Sequence, residues 1–222
     1  MKILRFLISR VREPANAYTH LAAVLLSIPA LVLLIHRALL YGQPTHVVAF
    51  TIFGSSMTLL YLASTLYHML PLSEKGIKLL RRIDHIMIYV LIAGTYTPIT
   101  LIALDGFTGW ALFVTIWSLA VFGIFFKLLW FHAPKWVSLV IYLGMGWLAI
   151  FFLPSLWKDF PPQALAWIIA GGVIYSVGAL LYGLKWPNPS PKYFNFHAIW
   201  HIMVMAASFC FFWVMYQYVV FI

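Results

Sequence analysis

Charged residues fall in short clusters along the chain and leave seven stretches free of Asp, Glu, Lys and Arg: Pro14 to His36, Ala38 to Ser73, His85 to Leu104, Gly106 to Phe126, Trp136 to Trp157, Phe160 to Leu184 and Tyr193 to Ile222. Each can supply the roughly 20 apolar residues that a helix needs to cross a hydrocarbon core. The second stretch is too long for one crossing, but Gly42, Gln43 and Pro44 mark a turn within it, so its spanning part starts near His46. Asp105-Gly106 separates the third and fourth stretches, and Lys158-Asp159 with Pro161 and Pro162 separates the fifth and sixth. Backbone groups in lipid must be satisfied internally, and stretches this long fit helices where barrel strands would need only about 9 to 11 residues. The pattern predicts an all-α fold, a seven-transmembrane helix bundle forming one domain over 1–222, with spans near 16–37, 46–70, 84–104, 107–127, 136–155, 162–184 and 194–219.

Composition agrees and narrows the class. The 222 residues are 64% hydrophobic and 9% charged, against roughly 45 to 50% and about 25% in soluble domains. So few charges exclude a disordered chain, a coiled coil and an ordinary water-soluble enzyme. Fourteen basic and five acidic residues give a net charge of +9, which in a soluble protein would suggest nucleic acid. Here the basic residues follow the connections. Lys2, Arg5, Arg10, Arg12, Lys75, Lys78, Arg81, Arg82, Lys127, Lys135, Lys185 and Lys192 fall on one side, and only Arg37 and Lys158 on the other. The positive-inside rule then predicts a cytoplasmic N-terminus and an outside C-terminus.

The expected setting is the bacterial inner membrane, with membrane lipids as partners and no nucleic acid. The apolar stretch near the start is too short for a signal-peptide core, so no cleavage is expected. Cys210 stands alone, without a partner for a disulfide or a metal-type cysteine pair. Ten Trp and twelve Tyr read as interfacial anchors and packing.

Ionisable residues in or at the ends of spans are costly, and those that share a depth and a face are candidates for chemistry. Ser64 and His68, four apart, sit on one face near the end of the second helix. Asp84 opens the third helix from the same surface; His197 and His201, again four apart, lie in the first turns of the seventh; His20, with Asn16 one turn before it, starts the first. Three imidazoles, His68, His197 and His201, beside a carboxylate suit a metal, since three protein ligands plus water make an open, catalytic zinc site. Asp84 can then hold or deprotonate that water, and Ser64 can hydrogen-bond a neighbouring group. Asn16 and His20 are candidates to support the ligands.

Each residue has a plainer reading. An isolated histidine at a helix end is commonly an interfacial hydrogen-bonder, which suits His36, His46 and His132 and is the default for His20. Asp84 also fits a helix N-terminal charge favoured by the dipole or paired with Arg81 or Arg82. Ser64 also fits a small residue that permits close helix packing. His85 points about 100° away from Asp84 on an ideal helix and is set apart from the site.

Ser64-x-x-x-His68, the Asp84 of Arg82-Ile83-Asp84-His85, and His197-x-x-x-His201 resemble the three signature elements of the haemolysin III family, which is grouped with the seven-helix progestin and adiponectin receptors. Glu13-x-x-Asn16-x-x-Thr19-His20 and Gly94-Thr95-Tyr96-Thr97-Pro98 are similar to further segments of that family. The resemblance implies a Zn2+ ion held by His68, His197 and His201, with Asp84 contacting zinc-bound water and Ser64 close by. Relatives in the wider superfamily hydrolyse lipid amides, including ceramides, whereas the family's name implies lysis of red cells. Two expectations follow: a zinc-dependent, ceramidase-like membrane hydrolase acting by metal-activated water, or a non-enzymatic zinc-containing sensor or cytolytic, pore-forming protein.

Overall fold

The computed structural model describes residues 11–104, 106–130 and 132–222, with the side chains of Lys135, Lys158 and Asp159 excepted. Lys2, Arg5 and Arg10, which contribute to the orientation signal, and Asp105, which marks a turn, lie outside the described residues. The elements in chain order are α1 (Pro14–Tyr41), α2 (Pro44–Met69), α3 (Glu74–Pro98), α4 (Gly106–Leu129), α5 (Lys135–Trp147), α6 (Leu153–Asp159), α7 (Pro162–Leu184) and α8 (Phe196–Gln217). A π-helical turn, Ile99–Ala103, prolongs α3, and a 3-10 turn, Leu148–Phe152, joins α5 to α6 within one span. Seven helices are long and apolar enough to cross a membrane, and no strand is present among the described residues.

Local chemistry sets the helix ends. Pro14, Pro44 and Pro162 occupy first helical positions, where the missing N–H costs nothing and the fixed φ is already helical. Ser73 caps α3 by accepting from the Gly76 N–H. Asn195 caps α8 by accepting from the N–H groups of His197 and Ala198 at 3.0 and 3.1 Å.

The third helix starts at Glu74, ten residues before the 84 expected from charge-free spacing. A charge-free stretch measures what lipid tolerates, whereas a helix needs only its own hydrogen bonds and can run on into the interface. Over Glu74–Ala103 it extends about 45 Å at 1.5 Å per residue, well beyond a hydrocarbon core of about 30 Å. Asp84 therefore sits about three turns inside α3 rather than opening it. Because the dipole effect fades within the first turn, the N-terminal-charge reading of Asp84 falls away.

Neighbours in sequence pack side by side: α1 on α2, α2 on α3, α3 on α4, α7 on α8, with α8 returning to α1. Small residues allow the close approaches. A side chain at Gly94 would run into Ser56 of α2, and one at Gly123 would run into the Tyr89 ring. The fifth span is the least buried, at 11% against 61% for Glu74–Ala103. Tyr96 OH ties it down where the helix breaks, donating to Gly146 O (2.6 Å) and accepting from the Ala149 N–H (2.9 Å). Behind this span lies a cavity of about 230 Å³.

Candidate metal centre

The α2, α3, α8 and α1 ends assembled by charge-free spacing do meet. His68 Nδ1 faces Glu13 Oε2 at 2.6 Å, which leaves Nε2, buried and without a hydrogen bond. His201 Nδ1 lies 3.0 Å from both the Asn16 carbonyl oxygen and Thr19 Oγ1, so Nε2 is its remaining nitrogen. His197 stands one turn before His201, in the turn that Asn195 caps. The three rings are close and steeply inclined to one another: 4.7 Å and 89° for His68 and His197, 5.1 Å and 68° for His68 and His201, 4.7 Å and 79° for His197 and His201.

One nitrogen from each ring lies within 4.8 Å of the other two, so His68, His197 and His201 can hold a metal ion together. The fit extends to the surroundings. A histidine ligand ordinarily presents one nitrogen to the metal and engages a carboxylate or backbone carbonyl with the other. His68 has a carboxylate in that place and His201 a backbone carbonyl. His68 Nε2 is an orphaned polar atom of the kind a ligand would satisfy.

Asp84 and Ser64 line the cavity with His197 and His201. The Ser64 hydroxyl lies beside the Asp84 carboxylate but makes no hydrogen bond of normal geometry. Its burial at 1% fits the small-packing-residue reading equally well. His20 is buried, stacks on His201 with centroids 3.6 Å apart and planes 7° apart, and has no hydrogen bond at either nitrogen. It fixes the face of His201 by packing rather than by polar contact. Asn16 acts through its backbone on His201 and through its amide on Glu13, donating Nδ2 to Oε2 at 2.9 Å. His85 lines the same cavity although it is absent from the three-histidine cluster.

Two supporting residues, Glu13 and Thr19, had no assigned role in the sequence reading. Burial alone would raise the Glu13 carboxyl; hydrogen bonds from His68 and Asn16, and the charges of His68 and Arg12, pull it down to about 2. Arg12 reaches from Glu13 to the Tyr67 carbonyl, and the Glu13 N–H donates to His68 O at 3.0 Å, stitching the start of α1 to the end of α2. A signal existed in the spacing: Glu13, Asn16, Thr19 and His20 lie on one helical face. What spacing could not supply was the partner of that face.

Seven apolar helices around a cavity whose wall carries Asp84 and two members of a histidine tripod, His197 and His201, define a multi-pass integral membrane protein with a candidate metal centre. The chain belongs to the haemolysin-III-related family, whose sequence profile matches residues 8–212. It is 45% identical over 196 residues to Hemolysin-3 of Bacillus cereus, spanning 88% of this chain and 86% of that protein. It is 46% identical over 196 residues to the Hemolysin-3 homolog of Bacillus subtilis (strain 168), spanning 88% and 89%. The Monocyte to macrophage differentiation factor of Homo sapiens is 27% identical over 210 residues, spanning 92% of this chain and 83% of that protein.

Proposed function

We propose that this protein is a zinc-dependent hydrolase of the bacterial plasma membrane, its N-terminus cytoplasmic, that cleaves the amide of an acyl-chain lipid. The observation that carries this reading is the histidine tripod at the cavity, two of whose members, His197 and His201, line it together with Asp84. Three imidazoles with a position left open suit zinc in its catalytic form. When bound, zinc lowers the pKa of a coordinated water towards about 7 and polarises a carbonyl.

The chain's own residues do the rest. His68, His197 and His201 hold the ion, with Glu13 and the Asn16 carbonyl orienting two of the rings. Asp84 takes a proton from the water as its oxygen bonds to the carbonyl carbon. It gives a proton to the amine as the carbon–nitrogen bond breaks, leaving a fatty acid and an amine. Ser64 donates to the oxygen that gains charge. The cavity wall reaches from Asp84 to Ile99 along α3, about 22 Å at 1.5 Å per residue, a depth suited to a single acyl chain.

Release of fatty acid from N-acyl lipids by purified protein tests the reading. Chelation abolishes it, and Asp84→Ala lowers the rate by about 10² to 10⁴; activity indifferent to both sinks the mechanism. The name Hemolysin-3 borne by the Bacillus cereus relative favours a second reading, membrane lysis, in which the metal only ties α2 to α8. Leakage of liposomes caused equally by wild-type and Asp84→Ala protein would decide for it.

A further inference from the structure

Lysines near the ends of membrane helices usually extend towards water. Lys75, Lys78, Lys185 and Lys192 do so, but Lys127, near the end of α4, is turned inward and only 3% exposed. Its ammonium carries three donors, and it donates to a neutral acceptor, Ser138 Oγ in the first turn of α5. The Phe126 ring lies 5.8 Å away, and none of the described ion pairs includes Lys127. A buried cation without a counter-charge is costly.

The surroundings compound that cost. Lys127, Ser138 and Arg81 all line the cavity, and the Arg81 charge acts on Lys127. Asp84 is the one acid among the described lining residues, and the mechanism above already uses it. The N-terminus of α5 adds the positive end of its dipole at Ser138. The cavity is thus lined by two cations, and the Lys127 ammonium meets the Ser138 hydroxyl at a helix N-terminus. The Lys127 ammonium, with one neutral acceptor for its three donors, has capacity for a further acceptor, and in this positive surrounding an oxyanion suits it.

We infer that Lys127 and Ser138, in the field of the Arg81 charge, form a subsite for the phosphate of a lipid headgroup, so that the preferred ligand of the cavity is an acyl lipid with an anionic, phosphate-bearing head. This rests on the reading that the cavity receives an acyl lipid. It adds what distinguishes one such lipid from another. A tetrahedral phosphate offers enough oxygens to accept from the Lys127 ammonium and the Ser138 hydroxyl at once.

Trp147 and Trp200 line the cavity and report on its contents. Two ether-linked lipids with the same brominated alkyl chain, one ending in a phosphate monoester and the other in a hydroxyl, are titrated into the intact protein in non-ionic maltoside micelles. Tryptophan quenching then gives the two affinities. The wild type favours the phosphate lipid by about tenfold or more, the scale of a charge-assisted contact. Lys127→Arg keeps the ratio, Lys127→Gln brings it to about one, and Ser138→Ala reduces it. Should Lys127→Gln fail to fold, Ser138→Ala carries the same comparison.

A wild-type ratio near one, or an unchanged ratio in the folded Lys127→Gln and Ser138→Ala variants, overturns the subsite. Inorganic phosphate that displaces the phosphate lipid at equal concentration overturns the headgroup in favour of the free ion. Ether lipids are not cleaved by an amide hydrolase, so the ratio is read independently of turnover. A preserved ratio with no amide cleavage would therefore sink the hydrolase reading alone.

Discussion

Glu13 holds His68 from the N-cap position of a different helix, its Oε2 2.6 Å from His68 Nδ1. A carboxylate behind an imidazole fixes the tautomer and raises the basicity of the other nitrogen. Replacing Glu13 by Gln keeps the shape and removes the charge. Metal affinity, read by competition with a chromogenic chelator, then falls by about 10- to 100-fold while the protein stays folded; unchanged affinity would show that His68 is set by packing alone. His68, His197 and His201 could be gathered from sequence because each lies at a helix end that charge placement assigns to the same surface. Glu13 and Thr19 could not be given roles in the same way. Their effects depend on which helix faces α1, and that is decided by packing between α1, α2 and α8.

The α8 N-terminus is where element and site meet. Asn195 accepts from the N–H groups of His197 and Ala198, so the cap orders the turn that carries a candidate ligand. Asn195→Ala should cost about 0.5 to 2 kcal/mol in stability. Thermal unfolding should show a lower midpoint, with metal affinity reduced because His197 must be ordered as the ion binds. A lowered midpoint with unchanged affinity would separate the cap from the site. Helix existence was legible in the charge-free stretches, since lipid leaves the backbone few alternatives. Helix ends were less so. Glu74 to Arg82 carries five charged residues, yet it is helical, because Ser73 caps it and a helix satisfies its own backbone whatever charges it carries. The break of the fifth span at Leu148 likewise has no charge to mark it; Tyr96, from another helix, satisfies the backbone there.

At the scale of the molecule, the seven spans put the basic connections at one end and the histidine tripod at the same end. The proposed orientation makes that end cytoplasmic. Cys210 is the sole cysteine and is buried, which leaves introduced thiols as clean reporters in whole cells. A membrane-impermeant thiol reagent should label Ile222→Cys and spare Tyr193→Cys, both exposed positions at opposite ends of α8; the reverse pattern would invert the molecule and place the centre outside. The cavity itself was not legible in sequence, because it is formed by what the loosely packed fifth span leaves unfilled. Lys127 illustrates the difference: from its position it counted as one basic residue in a connection, and only packing shows that it turns inward. The proposed hydrolysis depends on whether the tripod binds metal. The most direct measurement is elemental analysis of purified wild-type protein beside His68→Ala, His197→Ala and His201→Ala. About one zinc per chain in the wild type, lost in each variant, is the expected result; wild-type zinc content in all three variants would contradict it.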